Sequence, residues 1–159
     1  MGDITKEQNV ANRKTSFRKN AWVWLVPYNS KYVDVSGCVN KYGEIYWMQY
    51  VSFQTGDTGY IYIDSPENCI RYRFEVIGHD LPYTSEINRE MEFNIYRKDV
   101  NAMKKHNRFA LFRITGETHS NYLRLSNLLD QGLKRAPRGS QKLSNKDYVK
   151  LQKYIEEYF

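Results

Sequence analysis

Hydrophobic and polar positions along this chain alternate in a few short stretches separated by polar turns. Residues 22–27, WVWLVP, place Trp22, Trp24 and Val26 on one side of an extended chain and Val23 and Leu25 on the other. Both sides are apolar, which predicts a central strand from Trp22 to Pro27. Pro27 has no amide hydrogen and is expected to end regular pairing there. The clearest pattern is FQTGDTGYIYIDSPENCIRYRFEVI. Gly56-Asp57 signals a turn, Tyr60 to Ile63 a strand, and the DSPEN stretch from Asp64 to Asn68 a polar tip. In the returning strand, Ile70 to Ile77, Arg71, Arg73 and Glu75 fall opposite Tyr72, Phe74 and Val76. The two strands form a β-hairpin.

Elsewhere the period is helical or mixed. Val35, Val39, Ile45 and Met48 suggest short helical turns between Tyr32 and Tyr50, interrupted by Gly37 and Gly43 and ending in a loop that presents Trp47. Residues 82–105, with Ile87, Met91, Ile95 and Met103, read as helix mixed with irregular structure. RFALFRIT, Arg108 to Thr115, is a further strand, and Tyr122 to Leu133 a short segment ending at Gly132. Ser144 is placed to cap a terminal helix in which Tyr148, Leu151, Ile155 and Tyr158 recur at spacings of three and four. Glu156 and Glu157 stand at the end of that helix where its dipole disfavours acids. Four or five strands with short helices make an α+β domain on a curved or barrel-like sheet. The polar, aperiodic residues 1–20 read as a flexible arm, leaving residues 21–159 as one domain.

The chain has 159 residues, 41% hydrophobic and 26% charged, enough for a single core. No apolar run approaches the ~20 residues of a membrane span, and the first 20 residues hold no apolar signal segment. A cytoplasmic protein with Cys38 and Cys69 as reduced thiols is expected. His79, His106 and His119 are scattered without ligand spacing, so neither a metal nor another cofactor is expected. Asp34, Asp57, Asp64, Glu75, Asp80 and Asp99 form no paired motif, and no nucleophile elbow, phosphate-binding loop or metalloprotease helix occurs. These absences favour a binding module over an enzyme.

The net charge is +6. Lys134, Arg135, Arg138, Lys142, Lys146, Lys150 and Lys153 crowd the last part of the chain against one acid, Asp147. Such a run either tracks phosphates or forms a solvated helix face. The 14 tyrosines suit base stacking and half-buried sheet surfaces alike. Trp22 and Trp24 are expected in the core. Tyr28, Asn29 and Ser30 at the end of the first strand, Trp47, and the hairpin end with Tyr62, Asp64 and Ser65 are the candidates for a pocket. Aromatic walls with a few hydrogen-bonding groups are what a flipped base requires.

The order WVWLVPYNS, a following Trp, FQTGDTGYIYIDSP, IRYRFEVI and GLKRAPRGSQKLS before a terminal helix resembles an EVE domain of the PUA-like superfamily. The likeness runs from Ala21 to Phe159 and is closest to the version that precedes nuclease or GTPase modules in modification-dependent restriction systems. It implies a curved mixed sheet of five or six strands, related to YTH and SRA folds, with an aromatic pocket. Asn29, Ser30, Asp64 and Ser65 would line that pocket, with Trp47 as its stacking wall. Lys134, Arg135, Arg138, Ser140, Gln141 and Lys142 would meet the nucleic-acid backbone. Many EVE domains follow the tryptophan with an aspartate; here Met48 stands there, and Asp64 is the candidate substitute. The implied partner is duplex DNA carrying 5-methylcytosine, 5-hydroxymethylcytosine or N6-methyladenine, with a nuclease or GTPase module beside it and no membrane. An RNA reader and a protein-interaction domain are the alternatives.

Overall fold

The computed structural model describes residues 20–94 and 99–159. The expected arm over residues 1–20 therefore lies outside the described residues except for Asn20, as does Ile95. In chain order the elements begin with strand β1 (Val23–Tyr28), helix α1 (Val35–Tyr42) and strands β2 (Glu44–Met48), β3 (Thr58–Ile63) and β4 (Cys69–Leu81). A 3₁₀ helix (Ser85–Phe93), helix α2 (Val100–His106) and strand β5 (Phe109–Glu117) follow. Short turns then lead to α3 (Leu125–Asp130), β6 (Gln141–Lys142) and the terminal helix α4 (Val149–Glu156).

The six strands form one mixed sheet in the order β2-β5-β4-β3-β1-β6, in which β1 runs parallel to β3 and the other pairs are antiparallel. Register shifts in β3–β4 and β4–β5 mark bulges, and bulges increase local twist and curve a sheet. Gly59 fits its position because a Cβ there would meet the Trp24 carbonyl and the Phe74 ring at 2.6 Å.

The double-sided pattern of β1 holds. Trp24 and Val26 join Phe53, Ile61, Phe74 and Phe112 on one face, while Leu25 joins Tyr60, Tyr62, Leu128, Leu143, Leu151 and Ile155 beneath α3 and α4 on the other. Tyr72, Phe74 and Val76 are buried in β4, with Arg71, Arg73 and Glu75 between them less so, as the hairpin pattern requires. Ile87, Met103 and Phe109 make a smaller cluster where the 3₁₀ helix and α2 meet β5.

Four local expectations are corrected. Pro27 does not end pairing: it stands in register with Tyr62, and β1 continues to Tyr28. The carbonyls of Trp22 and Tyr28 bond toward β3 and that of Val23 toward β6. Pro27, an odd position like Val23, turns its bare nitrogen to the side where the two-residue β6 has already ended. Gly37 does not break α1, whose start is capped by Asp34 accepting the Gly37 N–H; the helix ends instead at Gly43, φ +68°. Asn145, not Ser144, caps the terminal segment by accepting the Asp147 N–H. Glu156 is no unbalanced acid, for it pairs with Arg73 and accepts the Tyr60 hydroxyl.

Candidate functional site

Trp47 is on strand β2, not on a loop. Gly43 ends α1 in a left-handed turn, and the chain enters the sheet immediately as EIYWM. Among the described residues β2 pairs only with β5, which makes it an edge strand of the sheet they form. The 3₁₀ helix covers that edge: the Tyr46 N–H donates to both carboxylate oxygens of Glu90, at 3.0 and 3.2 Å.

A cleft of about 630 Å³ opens between the end of β1, β2, the 3₁₀ helix and α2, a size typical of small-ligand sites. Tyr28 and Trp47 form adjoining walls, their planes 86° apart and their centroids 6.4 Å apart. Phe112 stacks under the indole of Trp47 at 5.4 Å and 23°, leaving a rigid ring against the cavity. Val33, Ile45, Ile87 and Phe93 add apolar surface, and Tyr32 and Tyr50 stand exposed at the mouth.

Glu90 is the acid of the lining and only 8% exposed. Burial pushes its carboxyl up to about 7, against the pull of the Tyr46 N–H and of Arg89, whose Nε lies 3.7 Å away. The nearby Cys38 thiol is driven up by burial and by Glu90 itself. The cleft thus offers a carboxyl that exists in both protonation states near neutral pH, able to accept or to donate a hydrogen bond.

The expected pocket residues divide sharply. Tyr28, Asn29 and Trp47 line the cleft; Ser30, Tyr62, Asp64 and Ser65 do not. Asn29 is also a turn builder, since its side chain accepts the Lys31 N–H and its carbonyl those of Tyr32 and Val33. Tyr62 is fully buried on the opposite face of the sheet, bonded to Asn68 at 3.3 Å. Asp64 accepts the Ser65 N–H at the hairpin tip, and its own N–H ties that tip to the Tyr28 carbonyl.

Of the expected backbone-contact residues, Arg138 and Ser140 reach the cleft itself. Gln141 and Lys142 form β6, and the Lys142 ammonium lies 4.1 Å over the Trp22 ring. Lys134 is 3.7 Å from Asp147, and Arg135 is exposed.

Sequence reasoning missed Glu90, Phe93, Asn94, Tyr32 and Tyr50. A usable signal existed for two of them. Ile87, Glu90 and Phe93 recur every third residue, the period of a 3₁₀ helix, so an acid lies among apolar residues on the inward face. Among the described residues no cluster of three or more histidine, cysteine, aspartate or glutamate side chains is arranged to hold a metal. No helix among them is long and apolar enough to cross a membrane.

No profile of a known protein family matches the sequence, and no curated protein is detectably similar to it. Solved structures are similar in fold. An ASCH protein from Zymomonas mobilis shares 8% identity over 84% of this chain and 96% of its own, with a TM-score of 0.56. A hypothetical protein from Leishmania major shares 14% over 87% and 97%, with a TM-score of 0.59. A Rhodopseudomonas palustris protein shares 12% over 87% and 96%, with a TM-score of 0.58. The chain therefore shares its mixed α+β fold with these proteins, the Zymomonas mobilis ASCH protein among them.

Proposed function

We propose that this chain is a nucleic-acid reader of the EVE type, which draws one modified base out of duplex DNA and holds it in the cleft. The observation that carries the reading is the joining of two perpendicular aromatic walls, Tyr28 and Trp47, to the buried Glu90 carboxyl within one cavity. The rings would hold a base by its π-face, and Glu90 would meet a polar edge. Arg138 at the rim is exposed and available to a phosphate.

The energetics are balanced finely. Unstacking a base costs a few kcal/mol; an aromatic stack returns about 1–3 kcal/mol, and phosphate contacts supply the remainder in a salt-dependent way. A methyl group filling an apolar recess such as that beside Val33 and Ile45 adds about 1–3 kcal/mol of selectivity. The chain would serve as the specificity part of a modification-dependent restriction system, with cleavage or nucleotide hydrolysis on another domain or partner.

The test is fluorescence-polarisation binding to matched duplexes bearing cytosine, 5-methylcytosine, 5-hydroxymethylcytosine or N6-methyladenine, with the corresponding RNA alongside, at two salt concentrations. Preference for one modified duplex is the expected result. Equal binding to every duplex would remove the modified base from the proposal, tighter binding to RNA would make the chain an RNA reader, and absence of binding at low salt would leave a protein-interaction domain.

A further inference from the structure

Tyr50 is 71% exposed, an unusual position for a ring beside a cavity. Single exposed aromatics are common on protein surfaces, and the exposure alone means little. The distinguishing feature is the pedestal beneath it. Gln49, only 1% exposed, uses all its polar groups to clamp the backbone at this point. Its N–H donates to the Arg108 carbonyl at 3.0 Å and its carbonyl lies 3.0 Å from His106 Nε2. Its side-chain Nε2 donates to the Val51 carbonyl at 2.9 Å, and its Oε1 accepts the Asp80 N–H at 2.8 Å.

His106, fixed by that carbonyl and edge-on to Phe109 at 5.8 Å, supports one side of the Tyr50 ring at 4.6 Å. The backbone that carries this solvent-facing ring is held before any ligand arrives, so binding has less of it to order. Arg138 lines the same cleft as Tyr50 and is exposed. The surroundings therefore suit an anionic ligand carrying flat groups.

We infer that Tyr50 is a stacking platform for the nucleotide next to the one in the cleft, so that DNA already unpaired at two successive nucleotides is bound more tightly than a duplex from which the base must first be drawn. The inference rests on the reading of the cleft as a base-binding site. Trp47 and Tyr50 are three residues apart, within ~11 Å of chain, so one ring inside the cleft and one at its mouth can serve a base and its immediate neighbour. A fully paired duplex would have to open twice to use both rings; a single strand or locally melted site would not.

The experiment uses short strands carrying 5-methylcytosine or N6-methyladenine with 2-aminopurine on the 5′ or 3′ side, each tested single-stranded and fully paired. The wild-type chain is expected to bind the single strand more tightly and to quench 2-aminopurine on one side. Tyr50→Ala should abolish that quenching and weaken binding at least about fivefold, the low end of a base–aromatic stack, whereas Tyr50→Phe should retain both. Unchanged affinity and quenching in Tyr50→Ala, with binding weakened by Trp47→Ala, would overturn the platform and leave the base-binding cleft standing. No binding of any probe by the wild type would overturn both.

Discussion

The backbone N–H of Tyr46 is shared between the two carboxylate oxygens of Glu90, at 3.0 and 3.2 Å. One contact thereby closes the exposed edge of β2 and places a buried acid in the wall of the cleft. Edge strands need such protection against pairing with other chains, and here the protecting group is also the polar feature of the cavity.

Glu90 makes stability depend on pH in a defined direction. Its carboxyl is raised from 4.5 to about 7 in the folded chain. Between those values the folded state holds a proton that the unfolded state has released, so stability falls as pH rises through this window. At about 1.4 kcal/mol per unit, the loss is on the order of 3 kcal/mol. Urea unfolding at pH 5 and pH 8 should show Glu90→Gln losing less stability across that interval than the wild type, by roughly this amount. Equal losses in the two proteins would contradict the burial of the charge.

The sheet hides a second carboxylate with a different role. Asp57, 2% exposed, accepts the Trp22 N–H, the Trp24 indole N–H and the Gln54 N–H, each at 2.9 Å. Asp57→Ala leaves these donors without their acceptor at about 1–3 kcal/mol apiece. A destabilisation of at least about 3 kcal/mol is expected in denaturant unfolding, large enough to threaten folding. Asp57→Asn, which retains an acceptor oxygen, should lose less.

Trp47, the expected stacking wall, and Tyr62 were both pocket candidates from sequence and should now behave differently. Trp47→Ala is expected to weaken binding of the preferred oligonucleotide about tenfold or more, as loss of a stacking wall implies. Tyr62→Phe removes a hydroxyl from the far side of the sheet. It should leave affinity unchanged and lower stability by about 1 kcal/mol. Polarisation titrations and urea unfolding of both variants measure this contrast.

Arg138 and Lys142 offer a similar contrast among the basic residues. Arg138 is exposed at the cleft, whereas the Lys142 ammonium covers the Trp22 ring. If Arg138 meets a phosphate, Arg138→Ala should reduce the slope of log affinity against log salt by about one. Lys142→Ala should change that slope less. Titrations across a salt series provide the readout.

The α+β class, both faces of β1, the β3–β4 hairpin and the amphipathic terminal helix were legible because each depends on local periodicity. Trp24 against Leu25, and Tyr72, Phe74 and Val76 against Arg71, Arg73 and Glu75, are patterns that a strand converts directly into two faces. The Tyr28, Asn29 and Trp47 part of the cleft was likewise accessible as aromatics beside a polar turn. The remainder depended on which segments became neighbours. Tyr62 looked like its flanking aromatics until the register set it beside Pro27 and the second core. Glu90 became a cleft residue only when the 3₁₀ helix met the unpaired edge of β2, some 44 residues away along the chain. Local alternation determines which face a side chain takes; strand order and the packing of distant segments determine what that face meets, and this second step assembled the cleft.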